Sequence, residues 1–155
     1  MNENSKLIFK AVKENVTIEE IAALESKLKI SLPKEYKDHI LQYNGGYPDR
    51  ECFITVDGIR SRIHYFYAIY NGEHINFETF FIMYKIDDNR MLRHIFPIAI
   101  DPGGNQICIS TDEKDYGHIY FWDHEAETNI PSYSNMSLIA QSFNEFLDAL
   151  FVCPE

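Results

Sequence analysis

Apolar residues recur at helical spacing near the start of the chain: Ile18, Ile21, Ala22, Leu24 and Leu28. Steps of three and four place them on one stripe of a helix of about three turns. Thr17 and Glu20 stand just ahead as an S/T-x-x-E pair, in which each side chain satisfies an orphan amide of the first turn. Lys29–Leu32 ends this helix. Pro33 opens a second one, since proline has no amide to lose at a first helical position. Tyr36, Ile40, Leu41 and Tyr43 line its apolar face. Asn44-Gly45-Gly46 stops it with residues that tolerate a left-handed backbone.

The period then changes. Cys52–Thr55 and Arg62–Ile69 are β-rich, with Asp57-Gly58 as a turn between them and Asn71-Gly72 as a break after them. Phe77, Phe80, Phe81 and Tyr84 sit at i, i+3, i+4 and i+7, which predicts a helix within Ile75–Ile86. Ile95–Ile100, Gln106–Ser110 and His118–Trp122 read as strands, and Pro97 marks an edge or an irregularity. The connections Asp101–Asn105 and Thr111–Gly117 are too short for a crossover, so these strands form an antiparallel meander. Leu138, Ile139, Ser142, Phe143, Phe146, Leu147, Leu150 and Phe151 repeat at three and four, which predicts a closing helix over Ser137–Phe151. Helices at both ends with a sheet between them make an α+β domain. Residues 1–155 read as one domain, with a core at about 17–151.

Composition narrows the function. The chain has 155 residues, 45% of them hydrophobic, enough to bury a core and to exclude global disorder. Its formal charge of −10 is unevenly spread. Residues 1–48 and 49–100 are close to neutral, whereas 101–155 hold ten acids against Lys114 alone. Phosphate binding needs concentrated Lys and Arg, so direct nucleic-acid binding is not expected, and a basic protein partner is. The start, MNENSKLIFK, has no apolar signal region, and no run approaches a membrane span. Cys52, Cys108 and Cys153 lie far apart without a CxxC, and read as free thiols in a reducing, cytoplasmic setting.

Catalytic and metal chemistry find little support. Asp101-Pro102-Gly103-Gly104-Asn105 reads as a turn rather than a ligand loop, and it lacks the Lys-Ser/Thr of a phosphate loop. Asp123 and His124 follow Trp122 on a strand and point to opposite faces, which is wrong for a shared metal. The six histidines are dispersed, and neither HExxH nor GxSxG occurs. No cofactor is expected. The acids Asp112, Glu113, Asp115, Asp123, Glu125 and Glu127 gather on the meander's turns and exit. As a group they are candidates for a protein-binding face, with Tyr65, Tyr67, Tyr70 and Tyr84 as exposed aromatic anchors.

LPKEYKDHILQYNGG at Leu32–Gly46 resembles the N-terminal signature of the SUKH superfamily: Leu32-Pro33, then Tyr36, then a helix ending at Asn44-Gly45-Gly46. IFPIAIDPGGNQICIS, with Asp101, Gly103, Gly104 and Asn105, and HIYFWDHE, with Trp122, are similar to that family's meander. IAQSFNEFLDAL resembles its closing helix. The likeness runs from about Thr17 to Phe151. It implies the Smi/Knr-type fold and a non-enzymatic role. Most bacterial members are immunity proteins that neutralise a cognate toxin, often a nuclease. The yeast members are cell-wall regulators, which makes a regulatory scaffold the alternative. A small-ligand binder at 101–105 is the further one. Pro48–Asn71 has no counterpart in the pattern and is where specificity is expected.

Overall fold

The computed structural model describes residues 7–69, 76–87 and 89–154. A short antiparallel pair, β1 (Phe9–Lys10) and β2 (Tyr47–Pro48), brackets two helices, α1 (Ile18–Leu28) and α2 (Lys34–Gln42). The capping box of α1 forms as its sequence predicts. Glu20 N–H donates to Thr17 Oγ1 at 3.1 Å, and Thr17 N–H donates to Glu20 Oε1 at 3.0 Å. Ile21 and Leu24 are buried, but Ile18 is 68% exposed, so the apolar stripe begins one turn later than expected. A helix with so few deep anchors depends on its cap. Thr17→Ala should therefore lower stability by about 1 kcal/mol, read as a shift of the urea midpoint at unchanged slope.

Pro33 stands one position earlier than predicted, as the residue preceding α2, and Tyr36 and Ile40 face the core. Two positive-φ glycines follow, at +79° for Gly45 and +77° for Gly46. A Cβ on Gly46 would lie 2.4 Å from the Lys10 carbonyl oxygen. Glycine there lets β1 run directly against the helix exit.

β3 (Cys52–Ile54) and β4 (Arg60–Arg62) form a hairpin around Asp57-Gly58. The predicted single strand Arg62–Ile69 is in fact divided. Its first residue ends β4, and β5 (Tyr65–Phe66) joins a different sheet. That sheet has five strands in the order β5, β6 (Ile95–Ile100), β7 (Gln106–Ser110), β8 (Ile119–Trp122) and β9 (Met136–Ala140), all antiparallel. The predicted meander is its centre. Pro97 lies at a register shift, so it marks an irregularity and not an edge. The aromatic segment before β6 is helical: α3 (Phe77–Phe81) starts on an Asn76 cap and continues as a π-helix over Ile82–Asp87.

The closing helix is shorter than predicted. Met136–Ala140 is the edge strand β9, and α4 spans only Phe143–Ala149. Ser142 caps it, accepting from Glu145 N–H at 3.1 Å. The β9 residues fell on helical spacing because Leu138 and Ile139 happen to precede Ser142 and Phe143 by three and four.

Period-two alternation gives the sheet two different faces. Ile107, Ile109, Ile119 and Phe121 join the main core with α1, α2 and α4 residues such as Leu24, Tyr36, Phe143 and Phe146. Cys108 and Trp122 face the other way, into a smaller cluster with Tyr84, Met91 and Ile95.

Two of the three cysteines are paired, which corrects the free-thiol expectation. Cys52 and Cys153 form a disulfide across 101 residues, and only Cys108 is free. Sequence spacing gave no sign of this. The pair is assembled by a β-bridge in which Cys52 and Phe151 exchange backbone hydrogen bonds at 2.9 and 3.0 Å. Among the described residues no helix is long and apolar enough to cross a membrane.

Candidate functional site

The Asp101–Asn105 turn is built by one carboxylate. Asp101 is 4% exposed. Its Oδ1 accepts from the amides of Gly103 (2.9 Å) and Asn105 (2.7 Å). Its Oδ2 accepts from Ser61 Oγ (2.8 Å) and Asn105 Nδ2 (3.0 Å). Asn105 Oδ1 in turn accepts from His124 N–H at 3.0 Å, and the His124 ring meets the Gly103 carbonyl at 2.9 Å. The polar groups of this loop thus point inward, locking the β6–β7 hairpin to the exit of β8 and to β4. That favours the structural turn over a ligand loop.

The six acids of the meander divide into different roles. Asp112, Glu113 and Asp115 precede β8, and Asp123, Glu125 and Glu127 follow it, so they occupy opposite ends of that strand. Glu127 is held by Arg90, with Nε contacts of 3.1 and 3.2 Å and an Nη2 contact of 2.5 Å. Arg90 lies over the Tyr84 ring at 4.4 Å and the Trp122 ring at 5.2 Å. This stacked pair closes the smaller core and leaves Glu127 little free charge. Asp123 caps the short 3-10 turn His124–Ala126 through Glu125 N–H at 2.9 Å. Glu113 and Glu125 are exposed, and Asp112 is half-buried.

Asp115 is an interior residue, 8% exposed. Its Oδ1 accepts from Ser110 Oγ at 2.6 Å, and its Oδ2 from Tyr120 at 2.7 Å and Tyr133 at 2.9 Å. Burial pushes its pKa up, but these three hydroxyls outweigh burial and hold it below the usual carboxylate value. A depressed folded pKa stabilises the protein above the unfolded value of 3.8 and loses that contribution as pH falls through the lower folded one. Asp115→Asn should therefore cost about 2 kcal/mol at neutral pH, and the gap to wild type should close in acid. Urea midpoints of both proteins across that range check it.

The fold brings His94 to this network although the histidines are scattered in sequence. His94, Asp112 and Asp115 place side-chain atoms within 4.8 Å of one another. His94 Nε2 meets Tyr133 OH at 2.6 Å, and Asp115 already uses both oxygens on hydroxyls. The cluster is a hydrogen-bonded frame for the β7–β8 turn.

The aromatic anchors differ from those expected. Tyr67 is 2% exposed, its hydroxyl donating to Gln106 Oε1 at 2.5 Å. Tyr84 is 7% exposed. Tyr65 is half-buried, and Tyr70 lies outside the described residues. Among the described residues the exposed tyrosines are Tyr116 (52%) and Tyr133 (42%), neither of which stood out in the sequence. Tyr116 sits in the polar stretch of the β7–β8 turn, three residues after Glu113, and that setting was its only signal. The turn therefore presents Asp112, Glu113 and Tyr116, and Tyr133 joins them from the β8–β9 connection through its bond to Asp115.

The motif residues of the N-terminal signature are structural. Leu32, Tyr36, Asn44, Gly45 and Gly46 are all buried, and Trp122 is 1% exposed.

A five-stranded antiparallel sheet, packed on one face by N-terminal helices and a C-terminal helix, with its polar turns exposed, defines an α+β protein of the Smi/Knr type. The chain belongs to the SMI1/KNR4 family (SUKH-1), whose family model matches residues 15–149. A relative from Bacillus subtilis (strain 168), the SPbeta prophage-derived uncharacterized protein YokK, is 32% identical over 154 residues, spanning 86% of this chain and 74% of its own length.

Proposed function

We propose that this protein is an immunity protein. It binds a cognate protein toxin in the cytoplasm and neutralises it by contact, without catalysis. The observation that carries this reading is the β7–β8 turn, which holds the exposed Glu113 and Tyr116 in one short segment braced by Asp115. Tyrosine combines apolar area with a hydroxyl and suits interface anchors. Acidic residues around it speed encounter with a basic surface, and a nuclease needs such a surface to hold its substrate. Family membership supports a protein partner. Glu125 and the half-buried Tyr65 are secondary contact candidates. The test is to add the purified protein to the toxin encoded beside it and follow nuclease activity. Stoichiometric inhibition that weakens with salt is expected. Full nuclease activity at saturating protein would contradict the reading.

A further inference from the structure

The Cys52–Cys153 disulfide lines an open cleft of about 370 Å³, walled by β4 on one side and by Pro102 and Gly103 of the β6–β7 turn on another. Alternation along β3 decides what faces it. Phe53 turns into the core at 1% exposure, so Cys52 and Ile54 turn the other way. The register pairs Cys52 with Arg62 and Ile54 with Arg60, which sets both arginine side chains on the face that carries the disulfide. Ser61, between them, donates to Asp101 Oδ2 at 2.8 Å and fixes that strand against the turn. Arg60 and Arg62 are exposed, and no ion pair among the described residues involves either.

The two cysteines are unequal. Cys52 is 4% exposed on β3, whereas Cys153 is half-buried between the exposed Val152 and Pro154. The Phe151 bridge to Cys52 and the disulfide tie this tail to β3. Thiol exchange begins at the sulfur an incoming thiolate can reach, and it is faster when the departing thiolate is stabilised by a nearby cation. Here Cys153 is the reachable member, and Cys52, directly opposite Arg62, is the departing one. Two unpaired guanidinium groups beside the bond also raise the local concentration of an anionic thiol.

We propose that this cleft takes an anionic low-molecular-weight thiol, which exchanges into the Cys52–Cys153 bond and leaves Cys153 as a mixed disulfide. The incoming thiolate forms a bond to Cys153 Sγ. The Cys52–Cys153 bond breaks, and its electron pair stays on Cys52 Sγ, which takes up the proton that the incoming thiol gave to water. One disulfide replaces another, so no oxidant or reductant beyond the thiol enters. The anionic group of the adduct is balanced by Arg60 and Arg62, and the tail keeps the Phe151 bridge but loses its covalent tie. Toxin binding through the β7–β8 turn does not enter this step.

The experiment exposes the full chain to 2-mercaptoethanesulfonate and, separately, to cysteamine, thiols of similar size and opposite charge. Acid quenching and maleimide labelling at intervals, followed by intact mass and peptide mapping, read how fast the bond opens and where the adduct sits. Each rate is divided by that thiol's rate on a neutral small disulfide, which removes the effect of its own acidity. The sulfonate should open the bond about fivefold or more faster than the amine, with its adduct on Cys153 and the label on Cys52, and the ratio should fall toward unity in high salt. Arg60→Gln with Arg62→Gln, both at exposed positions, should remove the preference while leaving the urea midpoint of the oxidised chain nearly unchanged. Equal rates for the two thiols, an adduct on Cys52 or none, or a double variant that keeps the preference would overturn the proposal. So would three free thiols in the untreated chain.

Discussion

Asn44→Ala should lower the unfolding free energy by about 3–4 kcal/mol, the largest loss expected from a single polar truncation in this protein. Asn44 is 1% exposed and joins three segments. Its Nδ2 donates to the carbonyls of Glu14 (2.9 Å) and Ile69 (3.0 Å), and its Oδ1 accepts from Ile69 N–H at 2.7 Å. Alanine removes all three bonds and leaves the Ile69 amide and carbonyl buried without partners among the described residues. Unmade buried bonds cost more than made ones contribute. Asn44→Asp separates the parts. At neutral pH it keeps the acceptor but sets a carboxylate against two carbonyl oxygens, so it should destabilise at least as much as alanine. In acid its proton restores one donor and part of the loss should return. Denaturant unfolding across pH reads both variants. A loss below about 1 kcal/mol for alanine would show that this residue is not the joint described here.

Opening the Cys52–Cys153 bond should cost about 4 kcal/mol. The two residues are 101 apart in sequence, and closing a loop of roughly that length restricts the unfolded chain by an amount in this range. Urea unfolding with and without reductant measures it, and Cys153→Ser should match the reduced wild type. Unfolded without reductant, the protein should show one free thiol, Cys108. Three thiols and identical unfolding curves would mean that the bond does not form. The bond also removes one support for a reducing compartment, since that expectation rested on three free cysteines.

Much of the fold was legible because its signals are local. The Thr17 capping box, the Pro33 start of α2, and the short turns of the meander each act within a few residues. The same kind of signal was present and unread at Ser142 and Glu145, which repeat the S-x-x-E pattern and mark where α4 begins. Reading Ser137–Phe151 as one helix passed over it, and β9 was lost as a result. The remaining errors are non-local. Nothing between Arg62 and Tyr65 announces a change of sheet, because that is decided by pairing with Cys52 and Ile100. Nothing near Tyr67 shows that Gln106 will bury it.

The candidate site was legible in sign but not in detail. Counting charge by segment shows that the acids gather in the last third. It could not distinguish Asp101 and Asp115, which face inward, or Glu127, which Arg90 holds, from the exposed Glu113 and Glu125. Hydrogen-bond partners distant in sequence make that distinction. Among the described residues the exposed tyrosines are likewise those in the polar stretches after β7 and before β9, not Tyr65 and Tyr67 at and beside β5.

Binding and neutralisation of a basic toxin are tested most directly by survival on co-expression with the protein encoded alongside. Wild type should restore growth. A variant with Asp112→Asn, Glu113→Gln and Tyr116→Ala, shown by its urea midpoint to remain folded, should restore it poorly. Killing that proceeds equally with and without the wild-type protein would contradict the proposed function.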